Sequence, residues 1–231
     1  MIDTGDLERR VRALGFTRFG IADATPSESI DAYQAWLERG HHGSMDYLQR
    51  HADLKDDPAS LLPGVRSIIA VGLDYYQPAS GEAPRVARYA WGRDYHRIFR
   101  RRLDRLVRQL KAEIPGAEFR ITVDSAPILE REYAHRAGLG WFGKNTMLID
   151  SRRGSWFLIG LVLTTLDLPA SQRSFGGCGT CSNCIDACPT GAIVQVDGVW
   201  QVDARQCISY LTIEAPEEAD DRVGDWLFGC D

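Results

Sequence analysis

Cys178-Gly-Thr-Cys181-Ser-Asn-Cys184-Ile-Asp-Ala-Cys188-Pro189 gathers four of the chain's six cysteines. The spacing is C-x2-C-x2-C-x3-C-P, the bacterial iron–sulfur pattern. Three thiolates two residues apart can curl around one face of a cubane cluster. The fourth, three residues on and followed by Pro, turns away toward a second cluster. A zinc site or a disulfide framework explains this run less well than a cluster does.

Two four-iron clusters take eight cysteines, and this chain has six. The remaining two are Cys207 and Cys230, the latter in Leu227-Phe-Gly-Cys-Asp231. A second cysteine run starts there and breaks off, so the sequence is expected to be a piece of a longer protein.

The 231 residues suffice for one large domain, or a large and a small one. Apolar content of 44% and charged content of 26% are ordinary for a globular chain. A net charge of -5 gives no global basic footprint, so nucleic-acid binding would need a local patch. No apolar run reaches the roughly 18 residues of a membrane span, and the N-terminus lacks a signal-peptide core. Cluster thiolates must stay reduced until loaded, so a cytoplasmic location away from membranes is expected.

Composition changes near residue 171, upstream of which there is no cysteine. The spacing predicts a domain over 1–170 and a small iron–sulfur module over 171–231, joined through the Pro-, Ser- and Gly-bearing segment 167–177. Helices are predicted over 6–14, 30–39, 95–114 and 128–137, and strands over 16–22, 67–73, 119–123 and 155–165. This alternation favours a layered α/β or α+β domain.

The densest polar constellation upstream runs from Val123-Asp124-Ser125-Ala126-Pro127-Ile128-Leu129-Glu130-Arg131 to Gly143-Lys144-Asn145. Asp124 ends a strand and precedes a helix, which suits a helix cap. A proton donor would instead need surroundings that raise its pKa, and position alone does not choose. Gly138, Gly140 and Gly143 follow a helix, so they are not a dinucleotide loop. Lys144 and Asn145 could hold an anionic or amide-bearing ligand, or simply form a surface loop.

The chain resembles the epoxyqueuosine reductases from end to end. The resemblance is carried by Leu61-Leu-Pro-Gly64, Trp91-Gly-Arg-Asp-Tyr-His96, the 123–145 stretch, the cysteine run, Arg205-Gln-Cys-Ile-Ser-Tyr-Leu-Thr212 and Phe228-Gly-Cys-Asp231. It implies a corrinoid-binding domain followed by a ferredoxin-like two-cluster module, here incomplete at the C-terminus. It also implies reduction of epoxyqueuosine to queuosine in tRNA, with cobalamin and two [4Fe-4S] clusters as cofactors. The implied partners are tRNA carrying epoxyqueuosine and a low-potential electron donor, and a monomer is expected.

Residue by residue, the resemblance makes Asp124 the proton donor, which decides between acid and cap. It places Lys55, Ala87, Asp124, Arg131, Leu148, Ile159, Ile208 and Ser209 at the corrinoid. Lys55 falls where the family commonly has Arg, which keeps the charge but loses the forked donor. The resemblance assigns Cys178, Cys181 and Cys184 to one cluster and Cys188, Cys207 and Cys230 to the other, each one ligand short. No Asp-x-His-x-x-Gly motif for a histidine cobalt ligand occurs in the sequence. Asp124 and Ser209 are expected to face one cavity, with Cys207 just behind it.

The predicted long helix also carries Arg97, Arg100, Arg101, Arg102, Arg105, Arg108 and Lys111, a basic stripe that could meet tRNA phosphates or stay solvated. Other readings are a reductive dehalogenase-like corrinoid reductase and a plain electron-carrying ferredoxin module. The second of these leaves the upstream residues without a role.

Overall fold

The structure, a computed structural model, describes residues 2–78, 85–218 and 221–231. The elements in chain order are α1 (Thr4–Ala13), β1 (Arg18–Asp23), α2 (Ile30–Glu38), α3 (Asp46–Arg50), β2 (Ser67–Asp74) and β3 (Arg85–Val86). Next come α4 (Tyr95–Glu113), β4 (Phe119–Thr122), α5 (Glu130–Arg136), β5 (Trp141–Phe142), β6 (Leu148–Ile149) and β7 (Phe157–Thr164). The C-terminal part holds α6 (Asn183–Asp186), β8 (Ile193–Val196), β9 (Val199–Val202) and β10 (Trp226–Phe228).

A four-stranded sheet in the order β1-β2-β7-β4 forms the centre, and each neighbouring pair is antiparallel. Its middle strand β2 reads Ser-Ile-Ile-Ala-Val-Gly-Leu-Asp, with no polar alternation because both faces are covered. Ile69, Val71 and Val162 face Leu7 and Val11 of α1 and Phe99, Leu103, Leu106 and Leu110 of α4. Ile68, Ala70, Leu161 and Leu163 face Tyr133, Ala134 and Ala137 around α5. The result is a three-layer α/β/α domain, the layered class that the alternation of elements predicts.

Two glycines let the helices approach. A Cβ on Gly160 would lie 2.5 Å from the Phe99 ring of α4, and one on Gly20 would strike the carbonyl oxygen of Ala137. Both positions need a residue without a side chain because backbone or ring already fills the space.

The C-terminal part packs a smaller core of Ala204, Ile208, Tyr210, Leu211, Ala215 and Val223 against Trp36 and Met45. It is stitched to the upstream layers by Trp36 Nε1, which donates to Val202 O at 2.7 Å, and by Ala204 N, which donates to His41 O at 2.8 Å. β10 adds in parallel to β3. Segment 167–177 lies along the upstream layers: Ser171 exchanges hydrogen bonds with both backbone groups of Ile21, and Ser174 Oγ donates to Gly138 O at 2.6 Å.

Candidate functional site

Asp124 follows β4 in a left-handed conformation, φ 62°, which only a few non-glycine residues adopt. Asp and Asn tolerate it best, so an Asp at this turn is locally reasonable. The side chain does not cap α5, because that helix starts at Glu130 and has Leu129 at its N-cap. Asp124 instead projects outward with 67% of its side chain exposed, and Oδ2 lies 3.3 Å from His96 Nε2. The other ring nitrogen, His96 Nδ1, is 2.8 Å from Asp94 Oδ1. Asp94 is also the N-cap of α4, accepting from His96 N at 2.9 Å. That double contact fixes His96 at the helix start, so it is a helix-start hydrogen bonder whose second nitrogen is turned toward Asp124.

Glu130 sits under the same loop. Both of its carboxylate oxygens accept the backbone N–H of Asp124, at 2.9 and 3.1 Å. Burial pushes its carboxyl up to about 7, and the charge of Asp124 adds to the effect. Lys55 stands close enough to oppose that shift. Its own ammonium is pushed down by burial, against the pull of Glu130 and Asp124, and its Nζ lies 5.2 Å from the Tyr33 ring centre. Arg131 donates to Thr146 O at 2.7 Å, and its guanidinium is pushed down by burial although solvent reaches it. Lys55, Glu130 and Arg131 thus form a polar floor close to Asp124.

Three tyrosines surround this floor. Burial raises Tyr95, Tyr89 and Tyr47, and each also feels the Asp124 charge. Tyr89 feels Cys207 as well. Sequence reasoning singled out Asp124, Lys55 and Arg131, which the fold brings together. It missed the part played by Glu130 and the tyrosines, whose only signal was their place inside the quoted motifs or in loops with no pattern.

The apolar candidates lie deeper. Ala87 is fully buried, with its N–H donated to Phe228 O at 2.8 Å. Leu148 and Ile208 are each 2% exposed, whereas Ile159 on β7 and Ser209 are half-buried. Ser209 opens a wide π-type helical turn, Tyr210–Glu214. Two cavities stand out, of about 450 Å³ beside Tyr76 and Trp156 and about 320 Å³ beside Trp141 and Phe175. Neither is lined by Asp124 or Ser209, so the expected shared cavity is not one of these two.

The six thiols fall into two neighbourhoods. Burial raises Cys184, which feels Cys178 and Cys181. Burial raises Cys230 to about 11, and it feels Cys207 and Cys188. Backbone amides point at sulfur in both sets: Lys144 N lies 3.4 Å from Cys178 Sγ and Ala192 N lies 3.4 Å from Cys188 Sγ. Among the described residues, no three His, Cys, Asp or Glu side chains are arranged to hold a single metal ion. Lys144 is not an idle loop residue, because its Nζ donates to Gly179 O and Cys181 O at 3.0 and 2.8 Å.

On α4, Arg97, Arg100, Arg101, Arg105, Arg108 and Lys111 are exposed, whereas Arg102 turns back to Gly15 O at 3.1 Å. Arg100 donates to Ser125 Oγ at 3.2 Å, so the stripe begins beside the Asp124 loop. No helix among the described residues is long and apolar enough to cross a membrane.

Comparisons with known proteins agree with this layout. Residues 55–125 match the family described as "Epoxyqueuosine reductase QueG, DUF1730", and residues 177–231 match the "4Fe-4S double cluster binding domain". The epoxyqueuosine reductase of Vibrio cholerae is 44% identical, over 94% of this chain and 62% of its own length. That of Xanthomonas campestris is 42% identical, over 99% of this chain and 68% of its own length. The chain thus spans about 62% of the first of these relatives. A crystal structure of epoxyqueuosine reductase with a tRNA-Tyr epoxyqueuosine-modified stem loop superposes with a TM-score of 0.84 at 29% identity, over 99% of this chain and 62% of that one. The Bacillus subtilis enzyme, caught with an aspartate-bearing catalytic loop swung out of its active site, gives a TM-score of 0.84 at 28% identity, over 99% of this chain and 62% of that one.

Proposed function

Because the chain belongs to the epoxyqueuosine reductase family, we propose that it reduces epoxyqueuosine in tRNA to queuosine, with Asp124 as the proton donor. The change adds two electrons and two protons and releases the epoxide oxygen as water. The observation that carries this reading is the placement of Asp124. It is exposed, freed from any capping role, and paired with His96.

The polar floor suits a corrinoid. Lys55 and Arg131 offer donors to the amide side chains of such a ring, while Leu148, Ile159 and Ile208 would back it with apolar surface. When bound, cobalamin would supply a strong nucleophile or reductant for opening the epoxide. The two thiol sets suit [4Fe-4S] clusters, Cys178, Cys181 and Cys184 for one and Cys188, Cys207 and Cys230 for the other. A low-potential donor would load them, and residues 1–170 and 171–231 would act as catalytic and electron-delivering units. A tRNA substrate implies the cytoplasm.

As the proton donor, Asp124 would pass a proton to the oxygen leaving the substrate. The contact of His96 Nδ1 with Asp94 favours the tautomer whose Nε2 faces Asp124 as an acceptor.

Asp124→Asn should lower the rate of epoxide reduction by at least ~100-fold, the usual contribution of a general acid. Cluster content and thermal stability should stay as in the parent, since Asn adopts the left-handed conformation as readily as Asp. Unchanged turnover in that variant would remove Asp124 from the chemistry.

A further inference from the structure

We propose that Glu130 is the latch of the Asp124 loop. Its two carboxylate oxygens grip the Asp124 N–H and hold the Asp124 side chain toward His96 and Tyr95. The geometry is one-sided. Asp124 has a strained backbone, with φ 62°, and its side chain lies beside Tyr95 and reaches the ring nitrogen of His96 at the long distance of 3.3 Å. The firm bonds are the two from its own N–H to Glu130, at 2.9 and 3.1 Å. Glu130 is the first residue of α5, whose next turn is anchored in the core by Tyr133 and Ala134. The latch therefore joins a turn in the left-handed conformation to a helix anchored in the core. Glu130 is a positioning residue: it touches the backbone of Asp124 and holds no proton for the substrate.

The latch is also sensitive to protonation. Burial and the Asp124 charge push the Glu130 carboxyl up to about 7, and Lys55 and the buried Thr122 hydroxyl oppose them. Arg131 beside it on α5 and Tyr95 on α4 are the other charged or titratable groups that feel it. A carboxylate accepts an N–H more strongly than a neutral acid does. The latch is thus firm above pH 7 and loosens as pH falls below it.

The mechanistic meaning of the latch rests on Asp124 being the proton donor; the latch itself does not. Amide hydrogen exchange of the holoprotein, followed over residues 119–129, tests it. Glu130→Ala should speed exchange of the Asp124 amide at least tenfold, with the amides of β2 and β7 unchanged. Glu130→Gln keeps one acceptor oxygen, so its exchange should stay within about threefold of the parent. In the parent, protection of this amide, corrected for intrinsic exchange, should fall between pH 8 and pH 6. Glu130→Gln should abolish that pH dependence. Unaltered exchange at Asp124 in Glu130→Ala, or a pH dependence that persists in Glu130→Gln, would overturn the latch. If Asp124→Asn stays fully active while these exchange results hold, the latch stands and the proton-donor reading falls.

Discussion

A carboxyl group that ionises against burial weakens the fold it sits in. Glu130 does this, with a folded pKa of about 7 against an ordinary 4.5. Between those two values the folded chain holds a proton that the unfolded chain has lost. The stability contributed by Glu130 is therefore fully present below pH 4.5 and lost as pH rises through about 7. Above that, the ionised group costs up to roughly 3 kcal/mol. Glu130→Gln should raise the denaturation midpoint at pH 8 and change it little at pH 5, as urea titrations at the two pH values would show. Equal gains at both would mean that the carboxyl titrates in the folded state as it does in the unfolded chain. Asp124 was legible because it lies in the Val-Asp-Ser-Ala-Pro wording. Glu130, six residues on, was not, because its altered acidity comes from burial and from the Asp124 charge, which only the folded chain creates.

Elements show the same division between local and assembled information. The helices and strands of the upstream domain fall within a few residues of their predicted spans, since apolar periodicity and glycine stops are written locally. The antiparallel order β1-β2-β7-β4 is not local, and neither is the need for Gly20 and Gly160 where α5 and α4 approach the sheet. Nor is the buried knot at the start of α2. Glu132, 4% exposed, accepts from Ser27 Oγ at 2.5 Å, from Glu28 N at 2.8 Å and from Ser29 N at 3.2 Å, and pairs with the equally buried Arg136 at 3.3 Å. Removing one member strands a buried charge and several N–H groups. Glu132→Ala should destabilise the protein by about 3–5 kcal/mol, readable as a lower urea midpoint. A loss below about 1 kcal/mol would show that the network is dispensable.

At the scale of the whole molecule, the cysteine run announces clusters, but its partition depends on how distant segments meet. Cys207 follows a 3-10 turn after β9, and Cys230 follows β10, which is held against β3 of the upstream layers. Arg88 and Asp231 pin that end at 2.9 Å, and a Cβ on Gly229 would crowd Ala87 at 2.8 Å. Cys230 there feels the charges of Cys207 and Cys188, whereas Cys184 feels Cys178 and Cys181, the segment that Lys144 holds. The grouping predicts a pattern of iron loss after reconstitution. Cys184→Ala should lose up to about four irons, the content of one cluster, and adding Cys181→Ala should lose no more. Cys230→Ala should lose a different set, again matched by Cys207→Ala without addition. Combining Cys184→Ala with Cys230→Ala should remove both sets, because independent sites add and members of one site do not. The decisive variant is Cys188→Ala, which lies in the run with Cys184 but acts electrostatically on Cys230. Its iron loss should add to that of Cys184→Ala and not to that of Cys230→Ala. The reverse pattern would mean that neighbours in sequence, not neighbours in the fold, share a cluster.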